Sequence, residues 1–326
     1  MIWNTKRLPK ATYVLDTYWR FAAERQNIFF NRIAESPQLT SDPILLKHKF
    51  TNAYRAADRV SQYLLHEIIY NGDQTPNEII FRILLFKIFN KIETWELLQH
   101  ELGKVTWTGY SFDLYCKVLQ QALQAGVPVY SGAYMMASGR SSFGYERKHQ
   151  NHLKLIEQMM RLQAADRIIE AKSLEDVYGL LLTFPTIGRF LAYQYAIDIN
   201  YSDLTDFNEM DFVMPGPGAK DGIRKCFSSL GDYTEADVIR YVTDRQEQEF
   251  ERLGLHFKTL RGRPLQLIDC QNLFCETDKY TRMAHPEISG ISNRTRIKQL
   301  YAKTDHPIAY FFPPKWGLND RINDKF

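Results

Sequence analysis

The chain has 326 residues, 44% apolar, 13% aromatic and 24% charged, which supplies a buried core and excludes a disordered or fibrous polymer. Lysine and arginine number 41 against 38 acids, a formal charge of +3, so a basic coat or an acidic tail is excluded and any nucleic-acid surface must be a local patch. This length fits one large domain or two small ones.

At the N-terminus, basic residues are followed by Asp16 and Arg20 instead of an apolar stretch, which is not the pattern of a signal peptide. Apolar spacing predicts helices over Tyr13 to Ile33 and Phe50 to Ile69. The run from Ile79 to Phe89 is interrupted by Arg82 and Lys87 and falls far short of the ~20 residues of a bilayer span, so it reads as a core helix. Further helices are expected over Tyr110 to Ala125, Arg147 to Glu170, Ser173 to Leu182, Ile187 to Ile197, Thr234 to Leu253 and Thr295 to Ala302. Val127 to Tyr130 and Leu265 to Ile268 carry the aliphatic mix of short extended pieces. Loops are marked at Asn71 to Asn77, Ser138 to Gly144 and Met214 to Gly222. The second of these suggests a division into an N-terminal helical part, 1–140, and a second helical part, 141–326. With no repeat of fixed period, the expectation is a mainly α protein. Four cysteines at irregular spacing make a reducing, cytoplasmic setting the default, and neither zinc nor an iron-sulfur cluster is expected from them.

The most informative local pattern is Ser173 to Asn200. Ser173 and Asp176 have the spacing that caps a helix start, and Pro185 and Gly188 mark a tight turn before a second helix at about Arg189. This resembles a helix-hairpin-helix, whose turn N–H groups hold a DNA phosphate, in some cases through a monovalent cation. An ordinary αα-hairpin has the same letters. Thr186, Ile187, Gly188 and Arg189 are the candidate phosphate contacts. Helix-hairpin-helix DNA glycosylases place a catalytic aspartate about twenty residues past the hairpin glycine. Asp206 and Asp211 bracket that distance here, and Asp211 is preferred because Phe212 and Val213 follow it. A helix cap or a solvated acid explains either residue equally well. Bifunctional members carry a lysine two positions after the glycine, where this chain has Phe190, so a lyase step is not expected.

The stretch Pro215 to Ile223 matches neither a Walker A loop nor G-x-G-x-x-G, so a kinase reading loses its main support. Its Gly216, Gly218 and Lys220 are read as a turn close to a DNA backbone or as a purely structural turn. Beyond it, Gln271, Asn272, Glu276, Lys279 and Tyr280 place amide, carboxylate, ammonium and phenol groups in one stretch, able to read a base edge or to form a structural network. In the N-terminal half, Arg25, Asn52 and Arg55 are pocket candidates, with ion pairing to acids such as Asp58, Glu24 and Glu93 as the alternative. Basic residues collect toward the C-terminus at Lys258, Arg261, Arg263, Lys279, Arg282, Arg294, Arg296, Lys298 and Lys303, with Tyr280 and Tyr301 interleaved.

Several blocks together resemble the α-glutamyl/putrescinyl thymine pyrophosphorylase family and the helical domain attached to 5-hydroxymethyluracil DNA kinases. They are Tyr18 to Phe21 with Glu24 to Gln26, Phe50 to Asn52 with Tyr54, Arg55, Asp58 and Arg59, and Phe89 to Trp95. Gly216 to Ala219 and Cys275-Glu276 with Lys279, Tyr280 and Arg282 complete the match. The resemblance implies an all-helical, glycosylase-like protein that handles hypermodified bases in double-stranded DNA. The leading expectation is a monofunctional DNA N-glycosylase that excises a hypermodified pyrimidine from phage DNA in antiphage defence. Asp211 would act on sugar and water, and Arg25, Asn52, Arg55, Gln271, Asn272, Glu276, Lys279 and Tyr280 would shape the base pocket. The alternatives are a transferase or pyrophosphorylase that builds hypermodified thymine in DNA, and a non-catalytic DNA-binding module. No metal, no membrane and no cofactor beyond a hairpin cation are expected.

Overall fold

The computed structural model describes residues 6–132, 136–302 and 309–321. Among them it is mainly α, as the periodicity predicts. In chain order the helices are α1 (Val14–Ile33), α2 (Pro43–Lys47), α3 (Arg59–Tyr63), α4 (Pro76–Phe89) and α5 (Ile92–Leu102). Then come α6 (Phe112–Gln124), α7 (Arg140–Phe143), α8 (Lys148–Arg161), α9 (Ala164–Ile169) and α10 (Leu174–Leu182). The last five are α11 (Arg189–Asn200), α12 (Pro217–Cys226), α13 (Glu235–Asp244), α14 (Gln246–Arg252) and α15 (Leu267–Ala284). A two-residue strand β1 (Lys10–Ala11) pairs antiparallel with β2 (Phe227–Ser229), Lys10 facing Ser229 and Ala11 facing Phe227.

The chain forms two compact units. One comprises the described residues up to Asp58, Glu209–Tyr310 and those from Leu318 onward; the other comprises Arg59–Asn208 and Phe311–Gly317. In the second unit α4 is buried on all sides from Glu78 to Phe89, which is why its apolar residues form a run and not a stripe. Its three charged residues are each met. The Glu78 carboxylate accepts from the N–H groups of Trp107 (2.6 Å) and Thr108 (3.0 Å). Arg82 donates to the carbonyls of Ile68 (2.7 Å), Ile69 (3.2 Å) and Asp73 (2.8 Å). Lys87 pairs with Asp198 of α11 at 2.9 Å, both side chains buried. A buried ion pair is weak evidence for stability, but removing one partner alone strands a charge, at a cost of about 3–5 kcal/mol. Asn90, in the left-handed region at φ 47°, ends the helix.

In the first unit α12 lies against α15 at backbone distance. A Cβ on Gly222 would fall 2.0 Å from the Phe274 carbonyl oxygen, and one on Gly218 would fall 2.3 Å from Cys275 Sγ. Glycines four residues apart make this smooth face, Pro217 fits the first helical position, and Gly216 is the N-cap. The expected loop from Met214 to Gly222 is therefore a helix from Pro217 onward.

Other boundaries shift for physical reasons. Residues 50–54 are not helical because side chains of α1 and α15 bind their backbone, and regular structure resumes with a 3₁₀ turn at Arg55–Ala57, α3 and a π-helical turn at Leu64–Ile69. The expected helix from Arg147 to Glu170 breaks at Gln163, φ 55°. Thr234 to Leu253 divides at Arg245 into α13 and α14. Thr295 to Ala302 is extended instead of helical, with Leu300 bridged to His48. Val127 to Tyr130 forms no strand, and Leu265 to Ile268 leads directly into α15.

The α12 to α15 contact yields the first test. Gly222→Ala should destabilise the fold by about 3 kcal/mol, the upper end of the usual overpacking cost, since the obstacle is backbone. Gly179→Ala, inside α10 with nothing within 4 Å of a new Cβ, should instead stabilise by ~0.5–1 kcal/mol. Denaturant unfolding of the two variants should move the midpoint in opposite directions.

Candidate nucleic-acid interface

Arg25, on the buried face of α1, reaches across to the segment after α2. Its Nε donates to the Thr51 carbonyl (2.9 Å), and Nη2 donates to the Phe50 carbonyl (3.3 Å) and Asn52 Oδ1 (2.9 Å). Asn52 in turn donates from its backbone N–H to Asp58 Oδ1 (2.7 Å) and from Nδ2 to the Ala57 carbonyl (2.8 Å). From the opposite side, α15 supplies Glu276, whose Oε2 accepts from the Thr51 N–H (3.1 Å), and Asp269, whose Oδ1 accepts from the Arg55 N–H (2.7 Å). Residues 51–55 thus run antiparallel to α15, pinned at both ends.

Lys279 pairs with Glu276 at 2.7 Å and lies 4.6 Å from the Phe50 ring centroid. The Tyr280 hydroxyl donates to Asp42 Oδ2 at 2.6 Å, and Asp42 Oδ1 caps α2 through the N–H groups of Ile44 and Leu45. Gln271, 1% exposed, reaches Asn272 Oδ1 only at 3.4 Å through its Nε2, and its Oε1 has no donor among the described residues. Thr51 Oγ1 is likewise buried without a partner among them. Both oxygens keep unused hydrogen-bonding capacity while closed off from solvent, so only a group inserted between residues 50–55 and α15, such as the N–H and carbonyl edge of a base, would meet them.

Burial perturbs the acids here. Asp58 is pushed up to about 7, the desolvation only partly offset by the Asn52 N–H and Arg25. Asp269 is pushed up to about 6 by burial, against the N–H groups of Gln266 and Arg55. Burial also lowers the Arg25 guanidinium, with Asp58 and Glu276 opposing that shift.

The hairpin belongs to the other unit. Ser173 Oγ accepts from the Asp176 N–H (3.1 Å) and Asp176 Oδ2 accepts from the Lys172 N–H (3.0 Å), so α10 starts where the sequence places it. It ends at Leu182, before Pro185. The left-handed residue of the turn is Thr186, φ 67°, while Gly188 is extended, with open space where a Cβ would stand. Gly188 is the N-cap of α11 and no side chain caps that helix. Gly188 and Arg189 are exposed, whereas Ile187 is buried in the core. The 138–144 segment backs this turn: a Cβ on Gly139 would stand 3.5 Å from Thr186 Cγ2, and Asn151 Nδ2 fastens the segment through the carbonyls of Ser138 and Tyr145.

Asp206 is exposed, 3.8 Å from Lys315 Nζ, and Lys315 also donates to the carbonyls of Asn200, Ser202 and Thr205. Asp211 is exposed on the first unit, where its carbonyl accepts from Arg240 Nη2 at 2.9 Å. Gly216 and Gly218 are occupied in starting α12 and packing it, and Lys220 is exposed on that helix. The structure therefore brings Arg25, Asn52, Arg55, Gln271, Asn272, Glu276, Lys279 and Tyr280 to α15 and its neighbours, with Thr186 to Arg189 on the other unit. Thr51, Asp58 and Asp269 join the first group. Only Asp269 had a local signal beyond an ion-pair guess, its capping-box spacing from Gln266. No cluster of three or more potential metal ligands is found among the described residues, and no described helix is long and apolar enough to cross a membrane.

Comparison with known proteins bears out the resemblance to the helical domain of 5-hydroxymethyluracil DNA kinases. The model of the 5-hmdU DNA kinase helical domain matches residues 12–290. The 5-hmdU DNA kinase of Bacillus phage SP10 is 27% identical over 289 residues, covering 81% of this chain and 44% of that protein. This chain thus spans less than half the length of that relative. No solved structure matches. These matches overturn the expectation of a DNA N-glycosylase, a hydrolase that excises a modified base in antiphage defence, because both point to a DNA kinase, a transferase.

Asp58 and Asp269 generate a pH dependence. Both have folded-state pKa values above their ordinary range, so the folded chain binds more protons than the unfolded chain between about pH 4 and 7, and their contribution to stability is lost as pH rises through that window. In Asp58→Asn the part of this decline between pH 6 and 7.5 should flatten in thermal unfolding. An unchanged profile would remove Asp58 as its source.

Proposed function

This chain belongs to the family of the 5-hmdU DNA kinase helical domain, and we propose that it is a helical DNA-binding module for DNA carrying 5-hydroxymethyldeoxyuridine or thymines derived from it. The observation that carries this reading is the match over residues 12–290 to the helical part of a protein named for its action on modified DNA. A second feature favours binding over phosphoryl transfer by these residues. The 326 residues hold no Walker A sequence, and the Gly-rich stretch nearest to one is α12, its glycines pressed against α15 and not arranged as a phosphate cradle.

The proposed roles follow the geometry. Arg25 and Asn52 are engaged with the 50–58 backbone, so they act as positioning residues. Gln271, Thr51 and the Glu276–Lys279 pair are proposed to meet the base, and Arg55, Asn272 and Tyr280 to frame it. In the other unit, the turn from Thr186 to Arg189 at the uncapped start of α11 is proposed to hold a backbone phosphate, as in a helix-hairpin-helix.

Fluorescence polarisation on duplexes with a single 5-hydroxymethyldeoxyuridine or a thymine in its place tests this. We expect tighter binding to the modified duplex. Gln271→Leu should cut that preference by about tenfold, the effect of ~1.4 kcal/mol of lost base reading. Arg189→Ala should weaken both duplexes equally. Absence of binding to either duplex at low salt would overturn the proposal. A changed nucleoside mass in the DNA after incubation with an activated substrate and an amine donor would assign transferase chemistry to these residues instead.

A further inference from the structure

Two acid-free stretches of the first unit meet in an antiparallel ribbon. No aspartate or glutamate occurs between Pro43 and Ala57, or between Ile288 and Ala302. The Lys49 N–H donates to the Gln299 carbonyl (3.1 Å), the Tyr301 N–H donates to the Lys47 carbonyl (3.0 Å), and His48 bridges Leu300 between them. Lys47, Lys49, Arg296 and Lys298 are all exposed, and none has an ion-pair partner among the described residues.

The second strand is held from its other end as well. Arg294 bonds Asp221 at 2.6 Å and approaches Asp278 at 3.4 Å, the Ser292 N–H donates to Asp221 (2.8 Å), and Arg282 Nη1 donates to the Arg296 carbonyl (3.0 Å). Arg294 is thus an anchor, and the four other cations stand on a backbone fixed at both ends. The first strand leads through Phe50 directly into Thr51 and Asn52, and Tyr301 is near enough to Arg25 to act on its guanidinium. The ribbon therefore borders the polar site on α15.

We propose that this ribbon, with Lys47, Lys49, Arg296 and Lys298 as contacts, is the surface that docks the sugar-phosphate backbone of a nucleic acid beside the α15 site. The inference rests on the DNA-binding reading given above. By strand alternation Lys47 and Lys49 share one face of the ribbon with Tyr301, and Lys298 and Arg296 follow the opposite face with Leu300. The four cations, none ion-paired among the described residues, thus line both sides of one ribbon along which a polyanion backbone can run, and a fixed backbone sets their spacing before the ligand arrives. The exposed Tyr301 adds an aromatic surface for stacking.

The test is the salt dependence of duplex affinity. Each phosphate contact contributes about −0.9 to the slope of log affinity against log salt, so the variant Lys47→Gln, Lys49→Gln, Arg296→Gln, Lys298→Gln should have a slope smaller in magnitude by about three to four. A control with Lys104→Gln and Lys117→Gln, exposed lysines of the other unit, should keep the wild-type slope. An unchanged slope in the ribbon variant, or an equal fall in the control, would overturn the ribbon while leaving DNA binding intact. No binding by the wild-type chain would instead overturn the reading beneath it. Binding to vesicles of anionic phospholipid that the ribbon variant loses, with the DNA slope unchanged, would assign the surface to a membrane and overturn the proposal too.

Discussion

The approach of α12 to α15 constrains most of what lies around it in the first unit. With only hydrogen on Gly222 facing the Phe274 carbonyl, the two helix backbones meet without intervening side chains, which leaves little room for sliding or rotation. That contact places Lys225 beside Asp278 at 2.9 Å, where its ammonium also donates to the Asp278 carbonyl and Thr281 Oγ1, both at 3.1 Å. A lysine 1% exposed is tolerable only when its three protons are all received in this way. Asp278 is shared further with Arg282 and Arg294, so the backbone contact, the buried charges and the start of the basic ribbon form one mechanical unit.

The far side of α15 uses the same rigidity for a different purpose. Residues 50–55 make few backbone bonds of their own and are held by side chains of α1 and α15. A segment held in this way keeps a conformation that propensity alone would not choose, at the cost of burying acids that water would otherwise solvate. The raised Asp58 and Asp269 are the electrostatic record of that cost. Preorganisation of this kind is what a recognition site requires, because side chains beside a fixed loop lose little freedom when a ligand binds.

How much of this was legible in the sequence depends on where the determining contact lies. The buried α4, the capped start of α10 and the Pro-Gly turn before α11 are set by neighbours within a turn or two, and the residues there predict them. The polar groups of α15 were recognisable as a constellation because helical spacing alone puts them on adjacent faces. Misreadings occur where the partner is remote in sequence. Phe50 to Tyr54 has helical letters but is captured by Arg25 and Glu276, more than twenty residues away. Thr295 to Ala302 has helical spacing but pairs with residues 47–49. Gly216 to Gly222 looks like a loop unless the glycine-free face of α15 opposite is known.

The same distinction explains the overturned glycosylase expectation. A hairpin turn followed some twenty residues later by an aspartate contains little information, because turns need glycine and proline, and exposed aspartates are common at loop ends. Asp206 lies beside a lysine that binds three carbonyls at the end of α11, an arrangement that a C-terminal helix cap accounts for without chemistry. The family match runs over residues 12–290, and several of the blocks that carry the resemblance in the sequence contain the residues that fasten 50–58 to α1 and α15. What those several blocks share is therefore a way of holding one loop against one helix. A frame of that kind holds backbone in place and carries no mark of which bond is made or broken beside it. That is the physical reason why the blocks identify the family more readily than they identify a reaction.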